Sequence, residues 1–341
     1  MVLRNSSQPL VSVIIPVFNG ADYLAECIDS LLAQSYSNWD CVIVNNCSYD
    51  RTSEIAHRYA ERDSRIRVHD NKVFLTAIAN HNHALRLNSP GSKYCKLLFA
   101  DDYLFANCLE QMVNLAEARP SIGILNSYSL EGSEVMWAGL PYPSNIRTGR
   151  DVCRERLLGG PYVFGAGTSQ MYRSELVRSV SSFFNESNPH CDSEICFKYL
   201  TEWDFGFVHQ ILSYRRPLRV ESLTTKCNQL NTLLAMTFYE LLAYGQIYLT
   251  PDERNRALRN KSEEYYAYLA GFVLEGRESW AFHVKKLAEL GVPVDQKRLT
   301  KAVIMRGLRA FFKSPIAALT NVLSGKSALS GRLPTFLRKS S

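Results

Sequence analysis

Between Val11 and Phe99, four short apolar runs rich in β-branched residues alternate with three helical patterns, and that alternation limits the folds open to the chain. Val11-Ser12-Val13-Ile14-Ile15-Pro16-Val17 reads as a strand. Asn19-Gly20 follows, then Leu24, Cys27, Ile28, Leu31 and Leu32 at helical spacing. Asp40-Cys41-Val42-Ile43-Val44 is a second strand, and the polar turn Asn45 to Asp50 leads into a helix from about Thr52 to Arg62. Arg65 to His69 alternates like a strand, and a third helix around Thr76 to Leu87 precedes the run Tyr94 to Phe99. Such a pattern predicts right-handed βαβ crossovers: an α/β fold with a mostly parallel sheet and helices on both faces. Ligands bind such sheets beyond the carboxyl ends of the strands. The turns Val17-Phe18-Asn19, Asn45 to Asp50 and Ala100-Asp101-Asp102 all lie at such ends, so they are expected to meet in one site.

After Tyr103 the alternation loosens. The pattern predicts a helix over Leu104 to Ala118, a strand over Ile122 to Tyr128, Pro- and Gly-rich loops over Ala138 to Thr148 and Pro161 to Gly167, a helix over Asp192 to Leu200 and an extended run from Phe205 to Tyr214. From about Leu230 the patterns are helical only, with a start at Pro251-Asp252-Glu253 and a break at Gly291-Val292-Pro293. The expected organisation is an α/β domain over residues 1–228 and a helical extension over 229–341.

Hydrophobic residues at 46% and charged residues at 21% are ordinary globular values and exclude a disordered chain. Nine cysteines include no CxxC pair, and several sit in apolar runs, which reads as reduced, buried thiols. The first residues lack the features of a signal peptide, and no apolar stretch is long enough to span a bilayer, so a cytoplasmic protein is expected. The net charge of +6 is concentrated at one end: ten Lys or Arg and no acid lie between Lys297 and Ser341, leaving the remainder net acidic. There Lys297, Arg298, Lys301, Arg306, Arg309 and Lys313 interleave with Val303, Ile304, Leu308, Phe311 and Phe312. This suits either a peripheral contact with the anionic inner face of a plasma membrane or a solvated helix packed on the core. No nucleic-acid motif accompanies the charge, so nucleic acid is not an expected partner.

Asp101-Asp102 directly after a strand suits either a hard divalent cation or the cap of a helix. Four segments together resemble glycosyltransferase family 2: Val11 to Asn19, Ser30-Leu31-Leu32-Ala33-Gln34-Ser35-Tyr36, Asn45 to Thr52, and Lys96-Leu97-Leu98-Phe99-Ala100-Asp101-Asp102. The resemblance covers roughly residues 9 to 225. It implies the GT-A fold, a Rossmann-like α/β sheet, and inverting transfer of a sugar from a UDP, dTDP or GDP sugar to a carbohydrate or lipid-linked acceptor, as in surface polysaccharide or glycolipid synthesis. It also implies a Mg²⁺ or Mn²⁺ cofactor.

Carried over by position, the resemblance makes Pro16, Val17 and Asn19 the first nucleotide-contacting turn, with Asn46 at a base-contacting position where Asp is common. Ser48, Asp50 and Thr52 complete that motif, although Asp50 also suits a helix cap. Asp102 is the expected metal ligand, with Asp101 toward the ribose and metal-bound water; Phe99 stands where many members have another acid. Asp192 takes the place of the catalytic base, with Glu194 and then His190 in reserve and Cys191 replacing an acid. Phe164 to Ser169 resembles the acceptor-side loop, and Arg215 and Arg216 are expected at a solvated strand end. His81 and His83 lie two positions apart on a helix, face different ways, and speak against a zinc site. Two rival readings remain at this stage: a non-catalytic nucleotide-sugar-binding protein on the same fold, suggested by Asn45, Asn46 and Cys191, and a nucleotidyltransferase. The latter requires a basic, Gly-rich phosphate loop, and Pro16 to Tyr23 contains no Lys or Arg.

Overall fold

The structure, a computed structural model of the 341-residue chain, describes residues 8–217, 223–272 and 278–313. The chain divides into two compact units at Pro217/Leu218. This lies ahead of the boundary drawn from sequence at 228/229, which falls inside the helix Leu223–Leu230.

The first unit begins with β1 (Val11–Val17), α1 (Leu24–Leu32), β2 (Trp39–Asn45), α2 (Thr52–Arg62), β3 (Ile66–Asp70), α3 (Ala77–Arg86) and β4 (Tyr94–Leu97). It continues with β5 (Tyr103–Leu104), α4 (Cys108–Ala118), β6 (Ile122–Glu131), β7 (Glu134–Met136), β8 (Ile146–Thr148), α5 (Gly149–Leu157) and a 3-10 turn over Gly167–Ser169. It closes with β9 (Met171–Arg173), α6 (Ser174–Arg178), α7 (Cys191–Tyr199) and β10 (Asp204–Arg215). These strands form one ten-stranded sheet in the order β3-β2-β1-β4-β9-β6-β10-β5, with β7 on β6 and β8 on β10. The run β3-β2-β1-β4 is parallel, as the alternation predicts. β9 is antiparallel to both its neighbours, and β6 and β10 are again parallel.

Every residue of β1 and β2 is buried, since a sheet covered on both faces has no solvent side and its strands are apolar throughout. The polar exception is sealed: Ser12 Oγ donates to Asp40 Oδ1 at 2.8 Å. Leu24, Ile28 and Leu31 of α1 and Leu109 and Met112 of α4 share a buried cluster with Val13, Ile15 and Ile43 of the sheet.

Two elements differ from the sequence expectation. The strand read from Tyr94 to Phe99 stops at Leu97: Leu98 N–H still reaches Ile14 O at 2.9 Å, but Phe99 O then accepts from Asp102 N–H at 3.0 Å, which turns the chain. The helix read from Leu104 starts at Cys108, because Tyr103-Leu104 pairs with Ser213 and Tyr214 of β10. There the Tyr103 and Tyr214 rings stack at 4.7 Å and 11°.

The second unit consists, among the described residues, of α8 (Leu223–Leu230), α9 (Thr232–Tyr248), α10 (Pro251–Leu269), α11 (Glu278–Glu289) and α12 (Gln296–Lys313). Their core gathers Leu234, Phe238, Tyr265, Leu269, Leu287 and Leu299. Thr250 and Glu253 form a reciprocal cap around Pro251, the start that the sequence signals. Buried His283 bonds Tyr265 Oη at 2.6 Å and Leu230 O at 2.8 Å, and burial pushes its pKa down, so the ring is neutral. No helix among the described residues is long and apolar enough to cross a membrane.

Asn82 of α3 ties the segment that precedes α7. Its Oδ1 accepts from Phe184 N–H at 2.8 Å and its Nδ2 donates to Phe184 O at 2.9 Å, both buried. Asn82→Ala strands both backbone groups, and the expected loss is roughly 2–4 kcal/mol, read as a lower urea midpoint at unchanged slope.

Candidate active site

The first two turns are stitched into one wall. Asn19 adopts a left-handed backbone with φ 48°, a conformation that Asn accepts better than most residues. Its N–H donates to Ser48 Oγ at 2.9 Å, and its Oδ1 accepts from Tyr49 N–H at 3.1 Å. Gly20 N–H reaches Thr52 Oγ1 at 2.8 Å and Ala21 N–H reaches Asp50 Oδ2 at 3.1 Å. A Cβ on Gly20 would stand 2.6 Å from Val17 Cγ2, so only glycine fits this approach. Asp50 also accepts from Thr52 N–H at 3.0 Å, so its carboxylate is occupied as a helix cap and a tie between turns.

Asn46, expected to face a base, is buried and braces a third segment. Its Nδ2 donates to Leu75 O at 2.8 Å, while its Oδ1 accepts from Leu75 N–H and from Asn71 Nδ2, each at 3.0 Å. The acceptor capacity of the amide is therefore committed to protein. What this brace presents was missed in the sequence reading: Phe18, Tyr49 and Phe74 form an edge-to-face cluster with centroids 5.9 and 5.0 Å from Phe18. These rings are 45%, 85% and 55% exposed, in a position where burial gives no reason for them and a planar base could lie against them. Their signal was an aromatic residue within each polar turn.

The acid pair sits on the turn after β4. Asp102 is buried and its two oxygens are engaged: Oδ2 accepts from Thr168 Oγ1 at 2.5 Å and Oδ1 from Arg216 N–H at 3.1 Å. Burial, reinforced by the charge of Asp101, pushes the Asp102 pKa up to about 7. Arg216, expected at a solvated strand end, instead clamps this turn. Its Nε donates to Asp101 O at 3.0 Å, its guanidinium pairs with Glu26 and lies 4.5 Å over the Tyr23 ring. Asp101 is partly exposed. Both acids were expected at the cation, Asp102 as the ligand with Asp101 beside it; Asp102 is filled by protein donors, and Asp101 is the more exposed of the two.

Thr168 joins this turn to the other half of the site. Its Oγ1 also accepts from Phe99 N–H at 3.2 Å, and buried Lys96 donates to the carbonyls of Thr168 and Gln170. Gln170 Nε2 in turn reaches Phe164 O at 2.7 Å and Asp192 O at 3.3 Å. Phe164 to Ser169, expected to form an acceptor-side loop, thus lies between the acid turn and the start of α7.

The three candidate bases fare differently. Glu194 is buried, with Asn185 Nδ2 3.1 Å from its Oε2 and Asn188 Nδ2 held at 2.5 Å from the same atom, so it braces the loop ahead of α7. Burial lowers His190 to a pKa of about 4, leaving a neutral ring. Asp192 is half-buried; Oδ1 accepts from Ser193 N–H at 3.0 Å, and its other oxygen has no protein donor among the described residues. Burial raises its pKa to about 6, against the opposing pull of Ser193 N–H and the Arg215 guanidinium. The same guanidinium acts on Asp102, which sets Arg215 within electrostatic reach of both acids.

His81 and His83 do face different ways: His81 packs 5.1 Å from the Phe99 ring, and His83 Nε2 lies 3.2 Å from His69 Nε2. Among the described residues no three His, Cys, Asp or Glu side chains form a metal cage. A single partly exposed carboxylate at Asp101 fits Mg²⁺ or Mn²⁺ in another way. Such ions bind through one or two carboxylates and complete their shell with substrate phosphate oxygens and water.

This sheet order, with an acid pair after the fourth strand and a carboxylate opening a later helix, is that of a GT-A fold. The family model for glycosyl transferase family 2 matches residues 12–181. An uncharacterized glycosyltransferase of Rickettsia typhi is 26% identical over 275 residues, 79% of this chain and 81% of that protein. Among solved structures, S. aureus TarS in complex with UDP-GlcNAc superposes with a TM-score of 0.60 at 17% identity, covering 93% of this chain and 92% of that one. The Pyrobaculum calidifontis mannosyltransferase in complex with GDP-Man and Mn²⁺ reaches 0.54 at 16% identity, over 94% and 89%. At those identities the two structures speak for the fold alone. The chain belongs to glycosyltransferase family 2.

If Glu194 is a brace, Glu194→Gln turns an acceptor toward Asn188 into a donor. The expected outcome is a stability loss of about 1–3 kcal/mol in denaturant unfolding, with nucleotide affinity retained in the folded protein. A loss of transfer at unchanged stability and nucleotide affinity would return Glu194 to the reacting groups.

Proposed function

We propose that the chain is an inverting glycosyltransferase that moves a sugar from a nucleoside diphosphate sugar to an acceptor hydroxyl, with Asp192 as the base. One observation carries this reading. Asp102 and Glu194 are occupied by protein donors, whereas Asp192 keeps an oxygen without one and has a pKa raised by burial to about 6. A base poised near the working pH takes the acceptor proton while the hydroxyl oxygen attacks the anomeric carbon opposite the leaving diphosphate.

Asp101 would hold Mg²⁺ or Mn²⁺ together with the diphosphate, and the bound cation would supply charge neutralisation to the departing group. The Asn19–Ser48 wall and the Phe18, Tyr49 and Phe74 rings would receive the nucleoside, beside Pro16 and Val17. The two neighbours above carry UDP-GlcNAc and GDP-Man, which supports the donor class and leaves UDP, GDP and dTDP sugars as the set to screen.

The kind of acceptor is inferred from the second unit. On α12, Ile304, Met305 and Leu308 are exposed at helical spacing beside Lys297, Lys301 and Arg309, and the helix contains no acid. Lys313 and Phe311 lie outside the residues whose side chains are described, as does the rest of the basic tail. An exposed apolar stripe flanked only by cations matches an anionic bilayer. We assign it to peripheral docking at the inner face of the plasma membrane, where a lipid-linked acceptor of surface polysaccharide or glycolipid synthesis would be presented.

Three outcomes follow. Asp101→Ala abolishes Mn²⁺-dependent turnover of whichever sugar nucleotide the wild type hydrolyses or transfers; undiminished turnover excludes Asp101 as the ligand. Asp192→Asn keeps nucleotide affinity but slows transfer by about 10²- to 10⁴-fold. Because a protonated carboxyl cannot accept a proton, the wild-type rate falls as pH drops through about 6 and is level above it, a limb absent from the Asn variant. A wild-type chain that binds nucleotide with metal yet turns over no donor would make it a non-catalytic binder. Lastly, the chain sediments with phosphatidylglycerol vesicles and not with phosphatidylcholine vesicles. Lys301→Glu with Leu308→Asn releases it, and equal binding to both lipids would remove the electrostatic reading.

A further inference from the structure

We propose that Lys96 is a positioning residue of this site: by capping the carbonyls of Thr168 and Gln170 it holds the turn that joins the acid pair to the base helix. The inference rests on the transferase reading above and concerns a strand residue at the centre of the sheet. Lys96 belongs to β4 and is completely buried. Nζ donates to Thr168 O and, at 3.0 Å, to Gln170 O; among the described residues no carboxylate hydrogen-bonds it, although the charge of Asp102 acts on it.

A buried ammonium without a carboxylate partner is expensive, so its retention calls for a reason in what it touches. That reason is the edge between β4 and β9. Their antiparallel ladder contains only Tyr94↔Arg173 and Cys95↔Tyr172 and stops there. Beyond it come Met171, Gln170 and the 3-10 turn Gly167–Ser169, and the carbonyls of Gln170 and Thr168 are met by Lys96 where the ladder would have continued. The long side chain of Lys96 bridges that gap. With an apolar residue in its place, two buried carbonyls would lose their donor.

The turn so held has no slack for its other tasks. Gly167 cannot carry a Cβ, which would stand 2.6 Å from the Phe99 ring. The Thr168 hydroxyl links Phe99 N–H to Asp102 Oδ2, and the Gln170 amide links Phe164 O to Asp192 O. A shift at Lys96 is thereby felt at both ends of the site while touching neither substrate nor cation.

The test is a double-mutant cycle on the full chain with Lys96→Met and Thr168→Val. Mn²⁺-dependent turnover and nucleotide affinity are measured at matched folded fraction. Each single variant is expected to lower the turnover rate on the order of 10- to 100-fold, with nucleotide affinity close to that of the wild type. The double variant should lose little more than the worse single one, because both act through one turn. Lys96→Arg, which keeps the donors, should recover part of the rate. Should Lys96→Met fail to fold, Lys96→Gln, which keeps a donor for one carbonyl, carries the same cycle. Losses that multiply, or a Lys96 variant with wild-type turnover, overturn the proposal while leaving the transferase reading intact. A wild-type chain that neither binds nor turns over any sugar nucleotide removes both.

Discussion

The Thr168 hydroxyl on Asp102 is the contact on which the rest of the site depends. It fastens the turn after β4 to the loop before β9, two segments that the parallel half of the sheet alone would leave unconnected. Arg216 N–H completes the hold from the end of β10, so the ends of β4 and β10 and the start of the oppositely directed β9 meet on one carboxylate. A group so enclosed is a poor acid: burial and the neighbouring Asp101 charge raise its pKa to about 7, against the lowering effect of its two donors. Asp102 thus acts as a structural acceptor, and Asp101 is the more exposed acid of the pair.

The same division recurs along the chain. Asp50, Glu194 and Asn46 each stand in or beside a motif that implies ligand contact, and each has its acceptors filled by neighbouring protein donors. Family motifs of this sort mark where turns converge, and convergence itself requires polar braces, because buried backbone groups at strand ends must find partners. A residue in a motif is therefore a position in the site before it is a contact with substrate. By contrast, Asp101 is partly exposed, the second oxygen of Asp192 meets no protein donor among the described residues, and the rings of Phe18, Tyr49 and Phe74 are exposed.

This explains what could and could not be read from the residues. The parallel half of the sheet was legible because β1 and β2 are continuous apolar runs and α1 and α2 keep a helical period, so local pattern and tertiary burial agree. The antiparallel half was less so. β9 has three residues and β5 two, and Tyr103 enters a strand only because it stacks on Tyr214, more than a hundred positions away. In the site, the resemblance names Asp102 and Glu194 by type alone. Whether a carboxylate is free depends on donors such as Thr168 and Asn188, which no spacing rule ties to it.

Asn46 shows how a departure from a family pattern can be absorbed. Where an acid is common, this chain has an amide, and the amide does what a carboxylate cannot: it donates to Leu75 O while accepting from Leu75 N–H. That paired bond resembles one rung of a sheet ladder and fixes the segment that carries Phe74, whose ring closes on Phe18 at 5.0 Å. On the proposed reading, a base would meet the exposed rings of Phe18, Tyr49 and Phe74 in place of an acceptor at position 46. Stacking is tolerant of the base because every base has a π face, whereas an acceptor discriminates by the donors it meets. On that reading, the donor nucleotide would be chosen by contacts to its sugar and ribose more than by the identity of its base.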